Sequence, residues 1–193
     1  MSAPEVAAQL AGAGYNGLFL AGDSSRAGEV WDGGAARGAL EDIVGSPGFG
    51  DLERVLAAEV LYRCGDGPSA GSDVLADVYS RALALSGAGI ALMGNLWGAL
   101  WASPGDDGAL GSHLLEQGDA AVPRLVPLLG DEGPIRYEGS RDAMVGNMQR
   151  YRVKDAAAYF LGRITGREVA FHEELADRDA EIGRLATAVG DGG

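Results

Sequence analysis

An all-α fold is predicted by three features of this 193-residue sequence. Apolar residues recur at steps of three and four through most of the chain. Residues suited to helix ends stand at the edges of these runs, and glycine and proline cluster between them. The expected architecture is a stack of antiparallel helix pairs.

In chain order, Pro4–Leu10 reads as a helix, and Tyr15–Ala21 as a short β element. Gly34–Val44 forms a short helix with Leu40, Ile43 and Val44 inward. Asp51 introduces a helix over Leu52–Arg63, where Glu59 precedes Arg63 by four. Ser72 takes the N-cap position of the next helix, Asp73–Leu85, which turns Leu75, Val78, Tyr79, Ala82 and Leu83 to one side. Trp97 and Trp101, four apart, share a helical face, and Leu110–Gln117 is a short helix bearing His113. Tyr151–Ile164 carries the most continuous stripe (Val153, Ala156, Ala157, Phe160, Leu161, Ile164), with Gly166 just past its end. Arg167–Val189 reads as a final helix whose apolar seam is interrupted once, by Arg178. Loops fall at Cys64–Gly71, Ala102–Gly108 and Asp131–Gly139. No long polar linker divides the chain, so residues 1–193 are expected to form one α-helical domain with helix 167–189 packed on its body.

Residues 118–166 resemble a HEAT-type helical repeat. The first helix would be Asp119–Leu129, with a glycine–acid start, an internal Pro127 and a Leu-Leu ending; the second, Arg152–Ile164, opens Arg-x-x-Asp-Ala-Ala. The resemblance implies stacked helices that act mainly through their surfaces. It covers about a quarter of the chain. It is broken by a long insertion, residues 132–150, with a helix start at Ser140 and an interruption at Gly146-Asn147.

Composition excludes several classes of function. The formal net charge is −13, which disfavours nucleic acid and anionic lipid. No stretch approaches the ~20 apolar residues of a membrane span, and the N-terminus lacks a secretory signal pattern. One cysteine, Cys64, rules out an internal disulfide framework. A single lysine, Lys154, beside fourteen arginines points to a high-GC bacterial genome, and a cytoplasmic location is expected.

The local motifs are incomplete. Gly12-Ala13-Gly14-Tyr15-Asn16-Gly17 matches the dinucleotide fingerprint, but no strand precedes it, and 32 glycines make chance matches common. Gly67-Pro68-Ser69-Ala70-Gly71 has the nucleophile-elbow spacing without its strand. His172-Glu173 begins a zinc-protease motif, yet Ala176 stands where the second histidine belongs. Neither a metal site nor a cofactor is expected.

Two constellations remain. Arg141, Arg150, Arg152 and Lys154 form a cationic island holding one acid, Asp142, with Tyr137, Tyr151 and Trp97 supplying aromatic surface. Arg152 and Lys154 are expected to leave the helix on opposite sides, and Arg141 or Arg152 to contact an acidic group. The primary functional expectation is an acidic helical interaction protein, such as a bacterial immunity or inhibitor protein, binding a basic protein partner. The alternative is a small enzyme or ligand-binding protein. Its site for an acidic or polar small molecule would use Trp97, Tyr137, Arg141, Asn147, Tyr151 and Arg152.

Overall fold

The computed structural model describes residues 1–20, 25–88, 92–101 and 107–190. Among these the fold is all-α, with ten α-helices and no strand; the sole β-type pairing is an isolated antiparallel bridge between Pro134 and Arg152. No described helix is long and apolar enough to cross a membrane. The chain groups into two compact units, Met1–Val78 and Tyr79–Gly193.

The N-terminal unit contains α1 (Ala3–Tyr15), α2 (Ser25–Trp31), α3 (Arg37–Gly45), α4 (Asp51–Cys64) and the first turns of α5 (Ser72–Gly87). Helix α4 is its axis, packed by α1, α2 and α3. Every residue from Arg54 to Leu61 is buried, so α4 has no polar face to give to water. Its interior arginine is satisfied instead: Arg54 Nε donates to the Val44 carbonyl at 3.2 Å and Nη1 to Asp77 Oδ2 at 2.9 Å. The inward set of α3 is as expected, with Leu40, Ile43 and Val44 fully buried.

The expected β element is not formed. Tyr15 ends α1 and Asn16–Leu20 make a π-helical turn; residue 21 lies outside the described residues. Gly14, at φ +62°, kinks the chain, and Tyr15 then packs on Phe19 one helical turn on, ring centroids 4.8 Å apart. Ser72 is not the N-cap either, because the carbonyl of Gly71 receives the N–H groups of Val74 and Leu75.

The C-terminal unit holds the rest of α5, then α6 (Gly108–Glu116), α7 (Val122–Leu125), α8 (Ser140–Met148), α9 (Val153–Thr165) and α10 (Leu175–Gly190). Helix α9 is its centre, with every residue from Val153 to Gly162 buried. Around it pack α6, α10 and the turns of residues 118–130. Those turns replace the single helix expected over Asp119–Leu129: 3₁₀ turns at Gly118–Ala121 and Val126–Gly130 flank α7. Pro123 and Pro127 each remove a backbone donor, so no uninterrupted ladder forms.

Helix α9 ends where expected, at Gly166 in the left-handed region (φ +68°). The turn reverses the chain, and the Arg167 N–H returns to the Gly162 carbonyl at 2.9 Å. The last helix therefore begins at Leu175 rather than Arg167. Trp97 and Trp101 do not share a helix; they follow a 3₁₀ turn at Gly94–Leu96 in irregular chain. Most of the expected loop at Ala102–Gly108, residues 102–106, lies outside the described residues. Helix α8 starts at Ser140 as expected but runs on through Gly146 and Asn147. Gly146 lets α8 approach the Tyr137 ring, which a Cβ there would meet at 2.5 Å.

Candidate functional site

The segment 131–135 runs beside the start of α9 and supplies what a helix N-terminus lacks. Val153 N–H donates to the Gly133 carbonyl at 2.8 Å and Lys154 N–H to the Asp131 carbonyl at 3.0 Å. Asp155, three residues past the N-cap, accepts the Arg152 N–H at 2.8 Å. Arg152, as the N-cap, has extended backbone (φ −118°, ψ 166°).

That extended conformation brings Arg152 and Lys154 to the same acids, contrary to the expectation that they diverge. Helical angles do not apply to a residue outside the helical spiral. Arg152 reaches Glu132 Oε2 at 3.0 Å, Asp155 Oδ1 at 3.0 Å and Asp179 Oδ1 at 2.7 Å. Lys154 Nζ pairs with Glu132 and, at 2.9 Å, with Asp179 Oδ1. Beneath them Asp155, with no exposed surface, also receives Arg178 Nη1 at 3.2 Å. The Arg178 guanidinium then donates to the carbonyls of His172 at 2.9 Å and Gln149 at 2.8 Å, and lies 5.0 Å from the Tyr151 ring. Three cations and three carboxylates thus balance.

The electrostatics follow from these contacts. Glu132 is held below the usual carboxylate range, mainly by the hydrogen bond from Lys154. Asp179 is held low by its hydrogen bonds from Arg152 and Lys154. Burial works against the charge on Arg152, but the hydrogen bonds to Asp155 and Asp179 outweigh it and raise the pKa. Burial pushes the Tyr151 hydroxyl up to about 12.

Five of the six residues singled out by sequence have described side chains; Trp97, Tyr137, Tyr151 and Arg152 are buried and Asn147 is exposed. Tyr137 and Tyr151 are 3% and 2% exposed, with ring centroids 6.3 Å apart, and Trp101 stacks on Tyr151 at 6.2 Å. Asn147 pairs its amide with the backbone of Tyr137, Oδ1 receiving its N–H and Nδ2 donating to its carbonyl, both at 2.9 Å. Trp97 is fully buried against Phe160 and donates Nε1–H to Ser86 Oγ at 2.8 Å. Arg152 uses all five of its N–H donors on Glu132, Asp155 and Asp179. Arg141 falls in the first turn of α8, and its side chain is outside the described residues. This assembly joins helix starts and rings; it turns no polar group of Arg152 toward a ligand. Asp155, Arg178 and Asp179 were not foreseen as part of it, although Arg178 stood out as the one charge in the α10 seam.

Acidic residues outnumber basic ones in the N-terminal unit, which holds twelve acidic residues and four basic ones. Two of the four are engaged internally: Arg54 as described, and Arg37 with Glu41 and with the Gly67 carbonyl. Glu29, Asp32, Asp42 and Asp66 are exposed. No group of histidine, cysteine, aspartate and glutamate suited to a metal ion occurs among the described residues. In comparisons with known families, curated proteins and solved structures, the chain matches none.

Proposed function

We propose that this chain is a helical interaction protein whose N-terminal unit offers an acidic surface to a basic protein partner. The observation that carries the reading is the imbalance of that unit: twelve acids against four basic residues, an excess that the internal pairs Arg37–Glu41 and Arg54–Asp77 leave unchanged. A surface of one sign raises the encounter rate with an oppositely charged partner and rejects like-charged ones. The HEAT-like reading of residues 118–166 supports the same class of function, since stacked helices act through extended surfaces. Masking of a basic enzyme or toxin, as a bacterial immunity or inhibitor protein does, is the role this surface fits.

The test is affinity capture on the immobilised chain from its own cells, followed by salt elution. The expected partner is basic and leaves the column as salt rises through about 0.5 M, where screening is short-ranged. The triple variant Glu29→Lys, Asp42→Lys, Asp66→Lys should keep its stability, because exposed substitutions rarely exceed about 0.5 kcal/mol, and should lose the partner. A partner retained equally at all salt concentrations, or by the triple variant, overturns the reading.

A further inference from the structure

Beyond partner binding, the C-terminal unit contains a cleft of about 490 Å³ between α9 and the segment that follows it. That volume lies within the range of small-molecule sites. Leu100, Tyr159, Val169 and Phe171 give it apolar and aromatic walls, while Arg163 and Arg167 supply its cations. We propose that this cleft binds a small monocarboxylate with an aromatic or bulky apolar body.

The walls are set by one glycine. A Cβ on Gly162 would meet Val169 Cγ2 at 2.7 Å and the Arg167 carbonyl oxygen at 2.8 Å, so glycine allows residues 167–169 to lie directly on α9. Phe171 then stands 6.0 Å from the Tyr159 ring, forming a corner of two aromatic surfaces. Arg163 is fixed beside them. Its Nη1 donates to Asp107 Oδ1 at 2.7 Å and to the Tyr159 hydroxyl at 2.8 Å, and its Nη2 to Asp107 Oδ2 at 3.3 Å.

The unused donors of the two arginines set the chemistry of the ligand. A guanidinium carries five N–H donors, and these three contacts leave Nε–H and one Nη2–H of Arg163 without an acceptor among the described residues. Arg167 is exposed and has no carboxylate partner among them. Both oxygens of Asp107 are already engaged by Arg163, and Oδ1 also receives the Tyr159 hydroxyl at 2.7 Å. Glu168 is the one remaining carboxylate of the lining. Asp107 and Glu168 offset the two arginine charges, so it is the donors left on Arg163 and Arg167, rather than a net positive charge, that suit the cleft to a planar anion gripped in bidentate fashion. The aromatic corner takes the apolar body.

The test is calorimetry and NMR titration of the whole chain with 1-naphthylacetate and octanoate, set against 1-naphthylacetamide and 1-naphthylmethylamine. Naphthylacetate should shift the Val169 and Leu100 methyls and the Gly162 amide, and bind about tenfold tighter than the neutral amide. Arg167→Gln should weaken it about tenfold at unchanged melting temperature, and Arg167→Lys should restore part of the loss. The proposal is overturned if neither carboxylate binds up to about 10 mM, or if amide or amine binds as well as naphthylacetate. It is also overturned if the shifts map elsewhere or Arg167→Gln leaves affinity intact. Since every lining residue lies in the C-terminal unit, the result is independent of the acidic surface of the other unit.

Discussion

Phe160 shows what a single side chain contributes. It has no exposed surface, meets Trp97 edge-on at 6.2 Å between ring centroids, and meets Tyr159 edge-on at 5.2 Å. Gly111 faces it so closely that a Cβ there would lie 3.1 Å from Phe160 Cζ and 2.7 Å from the Trp97 carbonyl oxygen. With neighbours so constrained, Phe160→Ala leaves a cavity that cannot collapse, and stability should fall by about 3–5 kcal/mol in urea unfolding. A loss under about 1 kcal/mol would contradict this packing.

At the scale of the element, the start of α9 depends on Asp155. Its carboxylate caps the helix, accepts three N–H bonds from Arg152 and one from Arg178, and lies at the positive end of the helix dipole. Asp155→Ala would leave two poorly exposed guanidinium groups short of a counter-charge, at a cost of about 3–5 kcal/mol. Thermal unfolding of the variant checks this. The sequence made the body and the C-terminal end of α9 legible, because an apolar stripe and a terminal glycine are local signals, but it set the start at Tyr151 where the helix begins at Val153. It also made an acidic contact for Arg152 legible. It did not reveal that Lys154 shares those acids, since the N-cap leaves the helical spiral that a periodic reading assumes. Nor did it reveal the start of α10, because the turn at Gly166 and the close approach at Gly162 hold residues 167–169 against α9. Trp97 and Trp101 misled for a related reason: a spacing of four is only evidence of a shared face if the intervening chain is helical.

For the molecule as a whole, the ion pairs give stability a pH dependence of definite sign. Glu132 and Asp179 have folded pKa values below their unfolded ones. Their contribution is therefore complete above the unfolded carboxylate pKa and is lost as pH falls through the folded values, below about pH 4. Both carboxylates are largely exposed, so each adds at most about 1 kcal/mol. The double variant Glu132→Gln, Asp179→Asn should flatten the acid limb of a stability–pH curve while leaving its shape above pH ~6 unchanged. An acid limb identical to that of the parent chain would assign acid sensitivity to other groups. The same pairs impose an order on biosynthesis. Ribosomes release Arg152, Lys154 and Asp155 well before Arg178 and Asp179, so a nascent α9 carries a carboxylate that only Arg152 can meet. All residues of the N-terminal unit have been made by then, whereas the C-terminal unit acquires its final counter-ions only as the last helix emerges.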